Sequence, residues 1–80
     1  MNIVEAVALR LSDLLKEKDI SQYALSKKVA IDPSNLYNIF YKRCKTITVD
    51  KLFLLADGLD MTVQEFLNHP LFEKENIDIG

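Results

Sequence analysis

The sequence predicts an all-α domain of five short helices. Apolar residues recur at three- and four-residue spacing in five segments, capping residues stand at the segment ends, and only two Gly and two Pro interrupt the 80 residues. A chain of this length is expected to form one domain. Its hydrophobic fraction of 49% and charged fraction of 28% exclude a disordered or membrane-embedded chain. One Cys and one His supply neither an internal disulfide nor a zinc-ligand set, so the core must hold the fold without a staple.

The first helix is read from Ile3 to about Lys18, with Val4, Val7, Ala8, Leu11, Leu14 and Leu15 on one stripe. Ser21 caps a second helix, about Gln22–Val29, in which Leu25 and Val29 share a face. Asp32-Pro33 opens the third: the carboxylate is expected to cap the first turn, and Pro stands where its missing amide costs nothing. That helix ends near Tyr41, before a basic loop Lys42-Arg43-Cys44-Lys45. Thr48 caps a fourth helix to Asp57, with Val49, Leu52, Phe53 and Ala56 expected in the core and Gly58 as a left-handed C-cap. Thr62 and Glu65 form a capping box for the fifth, to about Asn68, with Met61 and Phe66 as a hydrophobic staple. Pro70 stops further helix. The tail holds Leu71, Phe72, Ile77 and Ile79 in no regular period, which divides the chain into a domain over 1–68 and a tail over 69–80.

Three residues, Ala30-Ile31-Asp32, separate the second and third helices, which is helix-turn-helix spacing. Such a turn forces a steep crossing, with Ser26 as the small residue at the joint and Leu25, Val29, Ile31 and Leu36 as its apolar part. A helix turns about 100° per residue, which puts Ser34, Tyr37, Asn38 and Tyr41 on one side of the third helix and Asn35 on the flank. Leu36, Ile39 and Phe40 take the opposite side. The outward side carries donors, acceptors and aromatic edges but no charge, which suits the base edges of a DNA major groove better than open solvent. The same residues admit plainer roles, the tyrosines shielding the core edge and Asn35 bonding backbone near the helix start. The net charge of −2 hides a polar distribution: residues 21–51 carry six basic groups against two acidic, and residues 52–80 one against six.

The runs Ser21-Gln22-x-x-Leu25-Ser26-x-x-Val29, Pro33-Ser34-x-Leu36-Tyr37-x-Ile39, Thr48-Val49-Asp50-Lys51-Leu52, Ala56-Asp57-Gly58-Leu59 and Val63-x-Glu65-Phe66-Leu67 together resemble the Cro/Xre-type, lambda-repressor-like DNA-binding domains of phages and bacteria. The resemblance covers residues 3–68. It implies a compact five-helix fold in which Ser34, Asn35, Tyr37 and Asn38 read bases. It also implies that Ser21, Gln22, Lys42, Arg43 and Lys45 hold the DNA backbone. Asn38 is the expected adenine reader, since an amide bonds both N6 and N7 of that base. Two departures carry expectations of their own. Ala30 stands where the family usually has Gly, and a positive φ there would cost about 1 kcal/mol. Tyr41-Lys42 replaces the usual Asn-Gly, which leaves the third helix free to run a turn further.

The expected function is sequence-specific binding of double-stranded DNA as a transcriptional regulator of repressor type, by a homodimer that forms at least on DNA. The alternative is a protein-binding regulatory or antitoxin-like module on the same fold, suggested by the acidic residues of the C-terminal third. No Gly-rich phosphate loop, paired carboxylates beside His, or Ser-His-Asp set points to an enzyme, and no cofactor, metal or small-molecule ligand is expected. Met1–Ala8 has no basic leader pattern and no apolar run approaches a bilayer span, so a cytoplasmic setting is expected. In the tail, Leu71, Phe72, Ile77 and Ile79 either supply a dimer interface or fold back on the first helix. Cys44 is expected as an exposed thiol and His69 as a solvated helix end.

Overall fold

Asn2 starts the chain's first helix by a device that periodicity does not show. Its side chain accepts the Glu5 amide at 2.9 Å while the Glu5 carboxylate accepts the Asn2 amide at 3.1 Å, a reciprocal capping box. The computed structural model describes residues 1–78, so Ile79 of the tail lies outside the described residues. Helices follow in the order α1 (Ile3–Lys18), α2 (Gln22–Lys28), α3 (Pro33–Phe40), α4 (Val49–Gly58) and α5 (Val63–Leu67). Two short 3-10 turns, Pro70–Phe72 and Lys74–Asn76, complete them. Helix ends agree with the expected ones to within a residue because the caps are local. Ser21 Oγ accepts the Ala24 amide, Thr48 Oγ1 that of Lys51, and Thr62 and Glu65 exchange the two bonds of a capping box.

The core is assembled on α1, whose expected stripe is buried throughout. Val7, Leu11, Leu14 and Leu15 meet Leu25 and Val29, Ile31, and Leu36 and Ile39 of α3. Leu52, Leu55 and Ala56 of α4 and Leu59 just beyond it close the core, and Phe66 of α5 is fully buried. Arg10 fastens α5 to α1, donating from Nε to the Phe66 carbonyl at 2.8 Å and from Nη2 to the Glu65 carbonyl at 3.1 Å. A cation at the carbonyl end of a helix is favoured by the helix dipole and adds a donor where helical partners run out.

Three expectations about α4 and its surroundings are corrected. Val49 and Phe53 are 63% and 58% exposed, because the buried stripe runs through Leu52, Leu55, Ala56 and Leu59 instead. Gly58 lies inside the helix, buried, and does not adopt a positive φ; Asp60, at φ 57°, makes the left-handed reversal. Glycine is required at 58 for close approach, since a Cβ there would run into Val29 Cγ1. In the turn between α2 and α3, Ala30 keeps a negative φ and carries none of the expected cost.

The tail folds back. Pro70 begins a 3-10 turn rather than only stopping a helix, and that turn packs on α1. Phe72 lies beside Phe66, ring centroids 6.0 Å apart. His69 is half-buried rather than solvated, its Nδ1 accepting the Leu71 amide at 3.1 Å. At the far end the Met1 ammonium donates to the Asn76 carbonyl at 3.0 Å and the Asp78 amide to the Met1 carbonyl at 2.8 Å. Among the described residues no helix is long and apolar enough to cross a membrane.

Candidate nucleic-acid interface

The chain breaks between α2 and α3. Val29 is extended (φ −97°, ψ 146°), Ile31 plugs the core, and α3 restarts at Pro33. Buried Leu36 and Ile39 fix which way α3 faces, and Ser34, Asn35 and Tyr37 are consequently exposed while Asn38 is half-buried. Phe40, on the inner side, is half-buried against the core.

Asp32 does not cap α3 as expected. Its carboxylate instead accepts the Ser34 hydroxyl at 2.6 Å, and this bond holds the Asp32 carboxyl below the usual carboxylate range. The missing amide of Pro33 removes one of the orphan donors a cap would serve. The bond also commits the Ser34 proton to Asp32, leaving the hydroxyl oxygen facing outward as an acceptor.

Tyr37 and Tyr41 stack on the outward side, centroids 4.4 Å apart and planes tilted by 34°. They are 47% and 53% exposed. The Arg43 guanidinium lies 5.3 Å from the Tyr37 ring centre, a cation–π contact that draws the basic loop against the exposed side of α3. That loop begins one residue after the helix ends. Lys42 takes a left-handed φ of 59°, so the helix stops at Phe40 and does not run on, although the residue is not Gly. The Arg43 amide then donates to the Asn38 carbonyl at 2.8 Å, and Cys44, half-buried rather than exposed, turns its thiol to the same carbonyl at 3.9 Å.

Lys42, Arg43 and Lys45 are all exposed at one end of α3, while Ser21 and Gln22 are exposed at the start of α2. Ser26, half-buried, lines a shallow cleft of about 180 Å³ between the two helices together with Gln22, Tyr23, Pro33, Leu36, Tyr37 and Phe40. Sequence reasoning missed Tyr23, which is 71% exposed beside Gln22, and Lys27, whose ammonium sits 5.0 Å from the Tyr23 ring centre. Their four-residue spacing on α2 was the available signal. Lys28, the other cation of α2, is turned to Asp60 at 3.1 Å. Among the described residues no three His, Cys, Asp or Glu side chains gather to hold a metal ion.

Two short helices joined by a tight break, the second with an uncharged outward face and cations at its end, make a helix-turn-helix arrangement. A sequence model of the Cro/C1-type HTH DNA-binding domain matches residues 10–71, and the chain belongs to that family. No curated protein and no solved structure matches it at a significant level.

Proposed function

We propose that the chain is a sequence-specific, double-stranded-DNA-binding transcriptional regulator that acts by occupying its site, as a repressor does, with α3 in the major groove. One observation carries this reading: the face of α3 that the core turns outward is free of charge, and the exposed cations Lys42, Arg43 and Lys45 adjoin it. Uncharged donors and acceptors discriminate base edges, whereas cations bind phosphates of any sequence. In this reading Ser34, Asn35, Tyr37 and Asn38 choose the site. Ser21, Gln22 and the basic loop hold the backbone on either side, helped by the cationic Lys27. The working compartment is the one that holds the DNA, which in a bacterial or phage setting is the cytoplasm.

One short helix contacts few base pairs, so useful specificity calls for two copies on a two-fold site. The tail is engaged with α1 and Met1 and serves as a strap. Support for a dimer face comes instead from α4, where Val49 and Phe53 are exposed next to a cleft of about 260 Å³ lined by Phe53, Ala56, Met61 and Val63. A projecting ring beside an apolar cleft on one face is the self-complementary arrangement a two-fold contact needs.

Selection of bound sites from random duplexes tests the function. The expected result is a two-fold consensus with an A·T pair in each half. Binding at rising salt should follow a log–log slope near −6 for about 6–8 phosphate contacts. Failure to enrich any sequence, with a flat slope, would contradict the DNA reading and favour a protein partner.

A further inference from the structure

The proposed reading places Tyr37 among the base-reading residues without saying which group of a base the stacked pair Tyr37 and Tyr41 meets. Tyr37 and Tyr41 stand one turn apart with centroids 4.4 Å apart, and Arg43 lies against Tyr37. Tyr37 also borders the cleft shared with Tyr23 and Pro33. Each ring restrains its neighbour, so little rotamer freedom is left to lose on binding. The result is a pre-formed apolar surface on the side of the molecule that faces the ligand.

What such a surface meets follows by elimination. The face of an aromatic ring is the negative end of its quadrupole and repels phosphate oxygens. An intact duplex presents base edges rather than base faces, so stacking on a base is closed to it. The major-groove edges offer one apolar group on unmodified DNA, the C5 methyl of thymine, whose weakly positive hydrogens suit an aromatic face. Asn38 lies on the same side of α3, and any adenine that it reads is paired with a thymine.

We infer that Tyr37 and Tyr41 form a seat for the C5 methyl group of a pyrimidine, thymine in unmodified DNA, with Arg43 holding the Tyr37 ring in place. This inference rests on the DNA-reading assignment above. A 5-methylcytosine carries the same methyl at the same groove position, so the chemistry has two sources that an experiment must separate.

The test uses the full chain and a duplex recovered by selection. Each thymine is replaced singly by uracil, which removes only the methyl, and each cytosine singly by 5-methylcytosine. At one or two thymines, uracil should raise Kd about fourfold, the value expected for one buried methyl group. Tyr37→Phe should keep this difference, because the ring and not the hydroxyl makes the contact. The Tyr37→Ala/Tyr41→Ala double variant should bind more weakly and show no difference between thymine and uracil; both residues are exposed, and unchanged helical circular dichroism would confirm the fold. A fourfold gain on methylating one cytosine, abolished in the double variant, would support the seat with cytosine as its source. Equal Kd for thymine and uracil at every position, with no gain from 5-methylcytosine, would overturn the inference while leaving DNA binding intact. So would a difference that survives in the double variant, or one lost in Tyr37→Phe. Recovery of no duplex at all would defeat both readings.

Discussion

Around α1 the chain is hydrogen-bonded over long sequence distances, whereas the segment that follows α3 is hydrogen-bonded only to its own neighbourhood. Arg10 reaches the carbonyls of Glu65 and Phe66, Met1 reaches Asn76, and Phe66 is sealed in the core. Residues 41–44, by contrast, bond back to the Tyr37, Asn38 and Ile39 carbonyls a few residues away, and the side chains of Tyr41, Lys42 and Arg43 are exposed. The difference teaches that stability and recognition reside in separate parts of the molecule. Substitutions on the α1 side should move the unfolding transition and leave base preference alone, and those around α3 should do the reverse.

The largest effect expected from this contrast is that of Phe66→Ala, which empties a fully buried site and should cost about 3–5 kcal/mol in chemical denaturation. Any folded protein that remains should select the same DNA sequence. Gly58→Ala comes next, at about 1–3 kcal/mol, because the new methyl meets the stiff Val29 side chain. Adding Val29→Ala should make that clash disappear, so the double variant should lose less than the two single losses combined. Lys42→Gly sharpens the comparison by splitting the two properties. Relief of the left-handed φ should raise stability by something under about 1 kcal/mol, while loss of the cation weakens binding to all sequences alike. Paired melting and salt-titration measurements would show the opposite signs.

The smallest effect concerns acid. Glu65 accepts the Thr62 amide, which holds its carboxyl below the ordinary value of 4.5. A carboxylate with a depressed folded pKa contributes stability that is present above the unfolded value and is lost as pH falls through the folded one. Stability should therefore decline on acidification below about pH 4, and Glu65→Gln should make that decline shallower in denaturation curves recorded across this range.

Much of this architecture was legible because it is written locally. Thr62-x-x-Glu65 and Ser21 set helix starts with groups three residues apart, and Leu36 with Ile39 orients α3 without reference to the rest of the chain. The failures fall where distant segments decide. In α4 the sets Val49-Leu52-Phe53-Ala56 and Leu52-Leu55-Ala56-Leu59 both satisfy helical spacing and share two members, so only packing against α1 and α5 selects the second. Gly58 was misread as a cap for the same reason: the demand for a missing Cβ comes from Val29, almost thirty residues away. The tail carried no period because its order depends on Met1 and α1. At the site, the outward set on α3 was visible and the four-residue spacing of Tyr23 and Lys27 was there to be read, but the link between Arg43 and Tyr37 needed coordinates.

The division of labour between α3 and its basic loop is tested most directly by measuring Kd for Asn38→Ala and Lys42→Ala against a panel of single-base-pair variants of the selected site. Asn38→Ala should flatten the preference at one A·T pair by about 1–3 kcal/mol and leave the other positions as they were. Lys42→Ala should weaken every duplex by a common factor. Uniform loss from both substitutions would contradict the account, since α3 would then hold DNA without reading it.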